Sequence, residues 1–141
     1  MQEGENGRGV ASRWYPQTLA KRLGLLQILS PLIDFFEVDA FELIRRYLGR
    51  RDVAYFIDPP YTAGNGKRAG KRLYQHNELD HEALFDLLGT ANGLVLMTYD
   101  DCPAVVEMAN RRGFSIERVR MKNAHHEKKC ELLISNSAQV V

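Results

Sequence analysis

The sequence predicts an α/β chain whose sheet is mainly parallel and ends in a C-terminal antiparallel hairpin. Two observations lead there. Short apolar, β-rich runs alternate with helical stretches of about ten residues, the pattern of strands joined by helical crossovers. The last two β-rich runs, Phe114 to Met121 and Cys130 to Ser135, follow one another with no helix between them.

Each element has a local reason. Residues 1–13 carry Gly4, Gly7 and Gly9 without an apolar period and read as a mobile arm; residues 14–141 read as one domain. Pro16 suits a first helical turn, and Leu19, Leu23, Leu26 and Leu29 recur near the helical spacing until Pro31. Ile33 to Val38 reads as a strand, and Ala40 to Leu48 as a helix stopped by Gly49. Val53 to Ile57 has the look of a strand buried on both faces, ended by Asp58-Pro59-Pro60 because two prolines cannot continue a ladder. A long loop with Gly64, Gly66 and Gly70 follows. Asp80 can cap a helix with Ala83, Leu84, Leu87 and Leu88 on one stripe. Leu94 to Thr98 is a second buried strand, and a helix from Pro103 to Arg112 stops at Gly113.

Composition narrows the class. The 141 residues carry 19 Lys+Arg and 18 Asp+Glu, with 45% hydrophobic and 26% charged residues, which excludes a disordered chain. No apolar run approaches the ~18 residues of a membrane span, so no membrane partner is expected and a cytoplasmic location is. Cys102 and Cys130 form no CxxC pair and read as reduced thiols, with no metal site. The positive charge is clustered. Lys67, Arg68, Lys71 and Arg72 form one basic group, and Arg118, Arg120, Lys122, Lys128 and Lys129 line a second. Such clusters against a near-neutral background suit contact with a phosphate backbone, although each can equally be a solvated loop.

The strongest local signal is Asp58-Pro59-Pro60-Tyr61. Chance would place this tetrad in a chain of such length on the order of once in a thousand. It stands at the carboxyl end of an expected buried strand, where open α/β sheets bind ligands. A carboxylate, a prolyl carbonyl and a flat ring make a receptor for a planar amine.

Tyr55-Phe-Ile-Asp-Pro-Pro-Tyr61 resembles the catalytic motif of Dam-like, adenine-specific DNA methyltransferases. The resemblance extends to Ser12-Arg13-Trp14-Tyr15-Pro16, Glu37-Val-Asp39-Ala-Phe41, Leu94-Val-Leu-Met-Thr-Tyr-Asp100 and Lys129-Cys-Glu131-Leu-Leu133, and covers roughly residues 9–136. It implies a partial Rossmann-like methyltransferase fold, S-adenosylmethionine as cofactor and double-stranded DNA as partner. In that reading Asp58 and the Pro59 carbonyl receive the amino group of a flipped adenine, Pro60 holds the turn and Tyr61 stacks on the base. Asp39, Phe41 and Asp58 would contact the cofactor, Asp39 being equally well placed to cap the helix that follows it. Tyr99 and Asp100 would line the far wall, and Lys67, Arg68, Lys71, Arg72, Lys122 and Lys128 would hold DNA. The family's Gly-rich cofactor motif has no match, so the chain is expected to be a catalytic half whose cofactor half lies upstream or on a partner chain. An inactive nucleic-acid-binding remnant and an amino-group methyltransferase acting on RNA or protein are the alternatives.

Overall fold

The computed structural model describes residues 15–60, 79–122 and 128–138. The chain divides into two units, Met1–Glu37 and Val38–Val141. In the first, α1 spans Pro16–Leu29, with the proline at its start, and passes into a 3₁₀ turn at Ser30–Leu32. The Ser30 hydroxyl donates to the Gln27 carbonyl at 2.9 Å, which satisfies one of the carbonyls that a helix end leaves open. Residues 33–38 form no strand, contrary to expectation. Ile33, Phe35, Phe36 and Val38 have β-compatible side chains, but a strand exists only through a paired neighbour, and none lies alongside among the described residues.

The second unit holds α2 (Ala40–Tyr47), β1 (Ala54–Ile57), α3 (His81–Gly89), β2 (Leu94–Asp100), α4 (Pro103–Arg111), β3 (Ser115–Lys122) and β4 (Lys128–Ser135). Asp39 accepts from the Glu42 amide at 3.2 Å, and Asp80 from the Ala83 amide at 2.9 Å, so both helices begin on side-chain caps. Gly113, at φ 73°, carries the chain out of α4 in the left-handed conformation that glycine tolerates best.

The sheet corrects the expectation of a mainly parallel arrangement. Its order is β1-β2-β4-β3; only β1 and β2 pair in parallel, and β2–β4 and β3–β4 are antiparallel. The crossover through α4 does return β3 in the direction of β2, as helical spacing requires. The hairpin then folds β4 back into the space between them, which converts one prospective parallel contact into two antiparallel ones.

One face of this sheet is covered. Tyr55, Val95, Met97, Tyr99, Leu132 and Ile134 project into a single core with Ile44 of α2, Leu84, Phe85 and Leu88 of α3, and Val105, Met108 and Ala109 of α4. Phe85 is fully buried, its ring 5.5 Å from Tyr99 and 5.8 Å from Phe114, the latter edge-on. Arg112 ties the two helices together from the rim, reaching Glu82 and Asp86 at 2.6 Å each. The opposite face is less buried, with Leu96, Thr98, Asp100 and Leu133 half-buried. Phe56 is 67% exposed, so β1 is not buried on both sides as its apolar sequence suggested.

Two positions set local tolerances. Gly93 precedes β2 so closely against the chain entering β1 that a Cβ would stand 2.1 Å from the Val53 carbonyl oxygen. Backbone cannot yield as a side-chain tip can. Gly93→Ala should therefore lower the unfolding free energy by about 3 kcal/mol or more in urea titration. Gly89→Ala, where the nearest obstacle is Phe114 at 4.0 Å, should cost nothing measurable. Tyr55 carries a buried hydroxyl with no hydrogen-bond partner among the described residues, and burial pushes its pKa up. Tyr55→Phe removes that orphaned group, so the variant should be as stable as the parent or more so, by up to about 1 kcal/mol.

Candidate active site

The parallel register pairs Ala54 with Leu94 and Ile57 with Met97. Carried one residue further, it sets Asp58 beside Thr98, and the Thr98 hydroxyl donates to Asp58 Oδ1 at 2.6 Å. Strand alternation places Phe56 and Asp58 on the same face as Leu96, Thr98 and Asp100, the face turned away from α2, α3 and α4. Across the sheet Thr98 opposes Leu133 and Asp100 opposes Glu131, so those residues share it. Asp58 is exposed, Pro59 is buried and Pro60 half-buried. The carboxylate thus stands at the mouth of the parallel pair, on a turn whose next residue is packed into the protein.

Energetics favour a held carboxylate. A hydrogen bond to a charged group contributes about 1.5–3 kcal/mol, reduced where water competes, against up to about 1 kcal/mol for the rotamer freedom of a short side chain. At 2.6 Å the bond is in the range of charge-assisted O–H···O⁻ pairs.

The other expected site residues are distributed differently. Asp100 joins Asp58 and Thr98 on the face away from the core. Tyr99 does not. It is fully buried on the helical face, where its hydroxyl lies 3.1 Å from His81 Nδ1, so it cannot form a wall of an open pocket. The reason is the two-residue period of a strand: if Thr98 faces the site, its neighbour faces away. Asp39 serves as the cap of α2, and Phe41 packs against the core with the Arg45 guanidinium 5.7 Å from its ring centre. Lys122 and Lys128 are opposite each other in the β3–β4 ladder, and only their backbone is described. Arg118, within the second basic stretch, pairs with Asp101 at 2.9 Å. Tyr61, Lys67, Arg68, Lys71 and Arg72 lie outside the described residues.

No protein-family model matches the chain, and no curated protein matches it. Its chemistry is therefore argued from the residues. Among the described residues no cluster of three His, Cys, Asp or Glu side chains could hold a metal ion. Cys102 and Cys130 are free thiols. No described helix is long and apolar enough to cross a membrane. An acceptor for N–H donors is present at Asp58. Asp39, expected at the cofactor, is engaged as the cap of α2.

Thr98 and His81 escaped the sequence reading. Thr98 lies four residues past Leu94 as Asp58 lies four past Ala54, but the register that matches those two counts is not written in either strand. His81 carried no signal beyond its place after a capping aspartate.

Burial lowers the pKa of His81, with Asp80 acting in the opposite sense. The fold therefore favours the neutral ring, and the unfolded chain binds the proton more readily. Stability from this group is complete above the ordinary imidazole value of about 6.5 and is lost as pH falls below it toward the lowered folded value. Melting temperature should fall between pH 7 and 5, and His81→Gln should flatten that part of the profile. Superimposable profiles would show that His81 does not titrate there.

Proposed function

We propose that this chain is the catalytic part of an adenine-specific DNA methyltransferase, transferring the methyl group of S-adenosylmethionine to the exocyclic amino group of an adenine turned out of the duplex. One observation carries the reading. The carboxylate of the Asp58-Pro59-Pro60-Tyr61 tetrad is exposed at the carboxyl end of the parallel strand pair and is held there by Thr98.

The chemistry asks little of these residues beyond geometry. An aromatic amine is a weak nucleophile because its lone pair is delocalised into the ring. Hydrogen bonds from its two N–H groups, one to the Asp58 carboxylate and one to the Pro59 carbonyl, favour a pyramidal nitrogen with its lone pair directed at the methyl group. They also stabilise the positive charge that develops on the nitrogen as the new bond forms. As the carbon–nitrogen bond formed, the methyl–sulfur bond would break and the sulfur would leave with that electron pair as a neutral thioether. Asp58 need not be a strong base, since the methylated nitrogen is acidic and would pass its extra proton to the carboxylate or to water. Tyr61 supplies a face for the base, a contact worth about 1–3 kcal/mol. The clustered lysines and arginines suit the DNA backbone, and the partial Rossmann-like identity of the fold belongs to this same proposal.

The assay is formation of N6-methyladenine in an adenine-containing duplex supplied with labelled S-adenosylmethionine. It is run with the chain alone and with added polypeptide carrying a Gly-rich cofactor motif. Product is expected to rise with the concentration of the added polypeptide. Asp58→Ala should reduce it by at least a hundredfold while leaving the circular-dichroism spectrum and melting temperature intact. Undiminished transfer by Asp58→Ala, or no product in either arrangement, would overturn the proposal.

A further inference from the structure

We infer that Thr98 is a positioning residue for the Asp58 carboxylate, setting the plane in which that group receives an amine; the inference rests on the function proposed above. Covalent structure restricts the backbone around Asp58. A residue that precedes proline is pushed out of the helical region into extended backbone. Pro59 and Pro60 each fix their own φ near −65°. Pro59 is buried, so the turn is packed as well as stiff. The backbone from Asp58 to Pro60 is thus narrowly restricted by its own covalent structure, and the softest coordinates left are the two side-chain torsions of Asp58. In an exposed aspartate these torsions are ordinarily mobile. The hydrogen bond from Thr98 at 2.6 Å acts on both of them.

Thr98 is suited to hold the group still. It is β-branched, and so has restricted χ1 freedom. It also sits in β2, which is paired on both edges, to β1 on one side and β4 on the other. Its hydroxyl position is therefore set by one of the two interior strands of the sheet. The same strand carries Met97 and Tyr99 into the core, so movement of Thr98 requires movement of packed side chains.

The chemical identity of the residue points the same way. Thr98 shares its face with Leu96 and Leu133, both half-buried. Valine would match threonine in shape and strand preference, and would be the better neighbour for two leucines. The hydroxyl is the group that shape and packing do not require, and it is directed at the carboxylate. An amine that must be oriented to within 10–20° for attack gains from a fixed acceptor plane, whereas its ground-state binding depends on that plane far less. A defect in positioning should accordingly appear in kcat more than in KM.

The test compares Thr98→Val, Thr98→Ser and Asp58→Ala in the assembly that supports methyl transfer. Thr98→Val should lower kcat about tenfold or more and leave KM within about twofold, without lowering the urea midpoint. Thr98→Ser, which keeps the hydroxyl and loses the methyl, should restore kcat to within about threefold of the parent. A second measurement needs no activity. The ¹³Cγ resonance of Asp58 in the unmodified chain should show a hydrogen–deuterium isotope shift transmitted from the bonded hydroxyl, retained in Thr98→Ser and diminished in Thr98→Val. An unchanged kcat in Thr98→Val beside a hundredfold loss in Asp58→Ala would overturn the positioning role while leaving the proposed function standing. Thr98→Ser failing as badly as Thr98→Val would also overturn it. Full transfer by Asp58→Ala would instead remove the reading on which the inference rests.

Discussion

The close approach of Gly93 to the chain entering β1 is the constraint on which the rest of the second unit depends. With no side chain at 93, the Leu94 amide reaches the Val53 carbonyl at 3.1 Å and starts the parallel ladder at Ala54 and Leu94. Asn136 holds the same point from the other side. Its amide group donates to the Gly93 carbonyl and accepts from the Val95 amide, both at 2.9 Å, continuing the edge of the sheet where β4 has ended. Asn92 adds a bond to the Gly49 carbonyl, tying in the end of the α2 segment. Register is strict in a sheet: a slip of one residue would turn every side chain to the wrong face. The place of Asp58 beside Thr98 is thus decided at the far end of the strands, where neither residue is found.

That register separates stability from chemistry by face. On the helical side, residues 95, 97 and 99 join Phe85 and Phe114 in a close-packed core, where burial of each large side chain contributes about 1.5–3 kcal/mol. On the other side, residues 96, 98 and 100 meet Asp58 on a face with far less buried area. Tyr99 and Thr98 are adjacent in sequence and share no role. The buried one is engaged with His81 and the ring of Phe85, and the half-buried one with the carboxylate. A site assembled on a strand in this way inherits the rigidity of a core to which it contributes little.

Electrostatics play a subordinate part in holding the helices. Arg111 and Glu82 are about half exposed, and a pair of that kind contributes about 0–1 kcal/mol. Arg112 is better placed. Its side chain is 15% exposed, it bridges Glu82 and Asp86, and its guanidinium lies 6.0 Å from the Phe85 ring centre. It closes the rim of the core over α3 and α4 as much by covering an aromatic ring as by charge.

The sequence by itself determined the features whose causes lie within a few residues. The aspartates at 39 and 80 announce helix starts, Pro16 and Pro103 open helices, Gly113 ends one, and the paired prolines end β1 beside an acidic group, because caps, fixed φ values and positive φ act locally. Tertiary structure alone decided which strands are neighbours. Ile33 to Val38 has the composition of a strand and pairs with no strand among the described residues, and the return of β4 into the space beside β2 made the sheet mostly antiparallel in its pairings. It also decided that Thr98 faces Asp58 while Tyr99 turns away, and that Gly93 is indispensable. These outcomes rest on hydrogen bonds and backbone approaches between residues about forty positions apart, and an apolar alternation specifies a face without naming the strand that will pair with it.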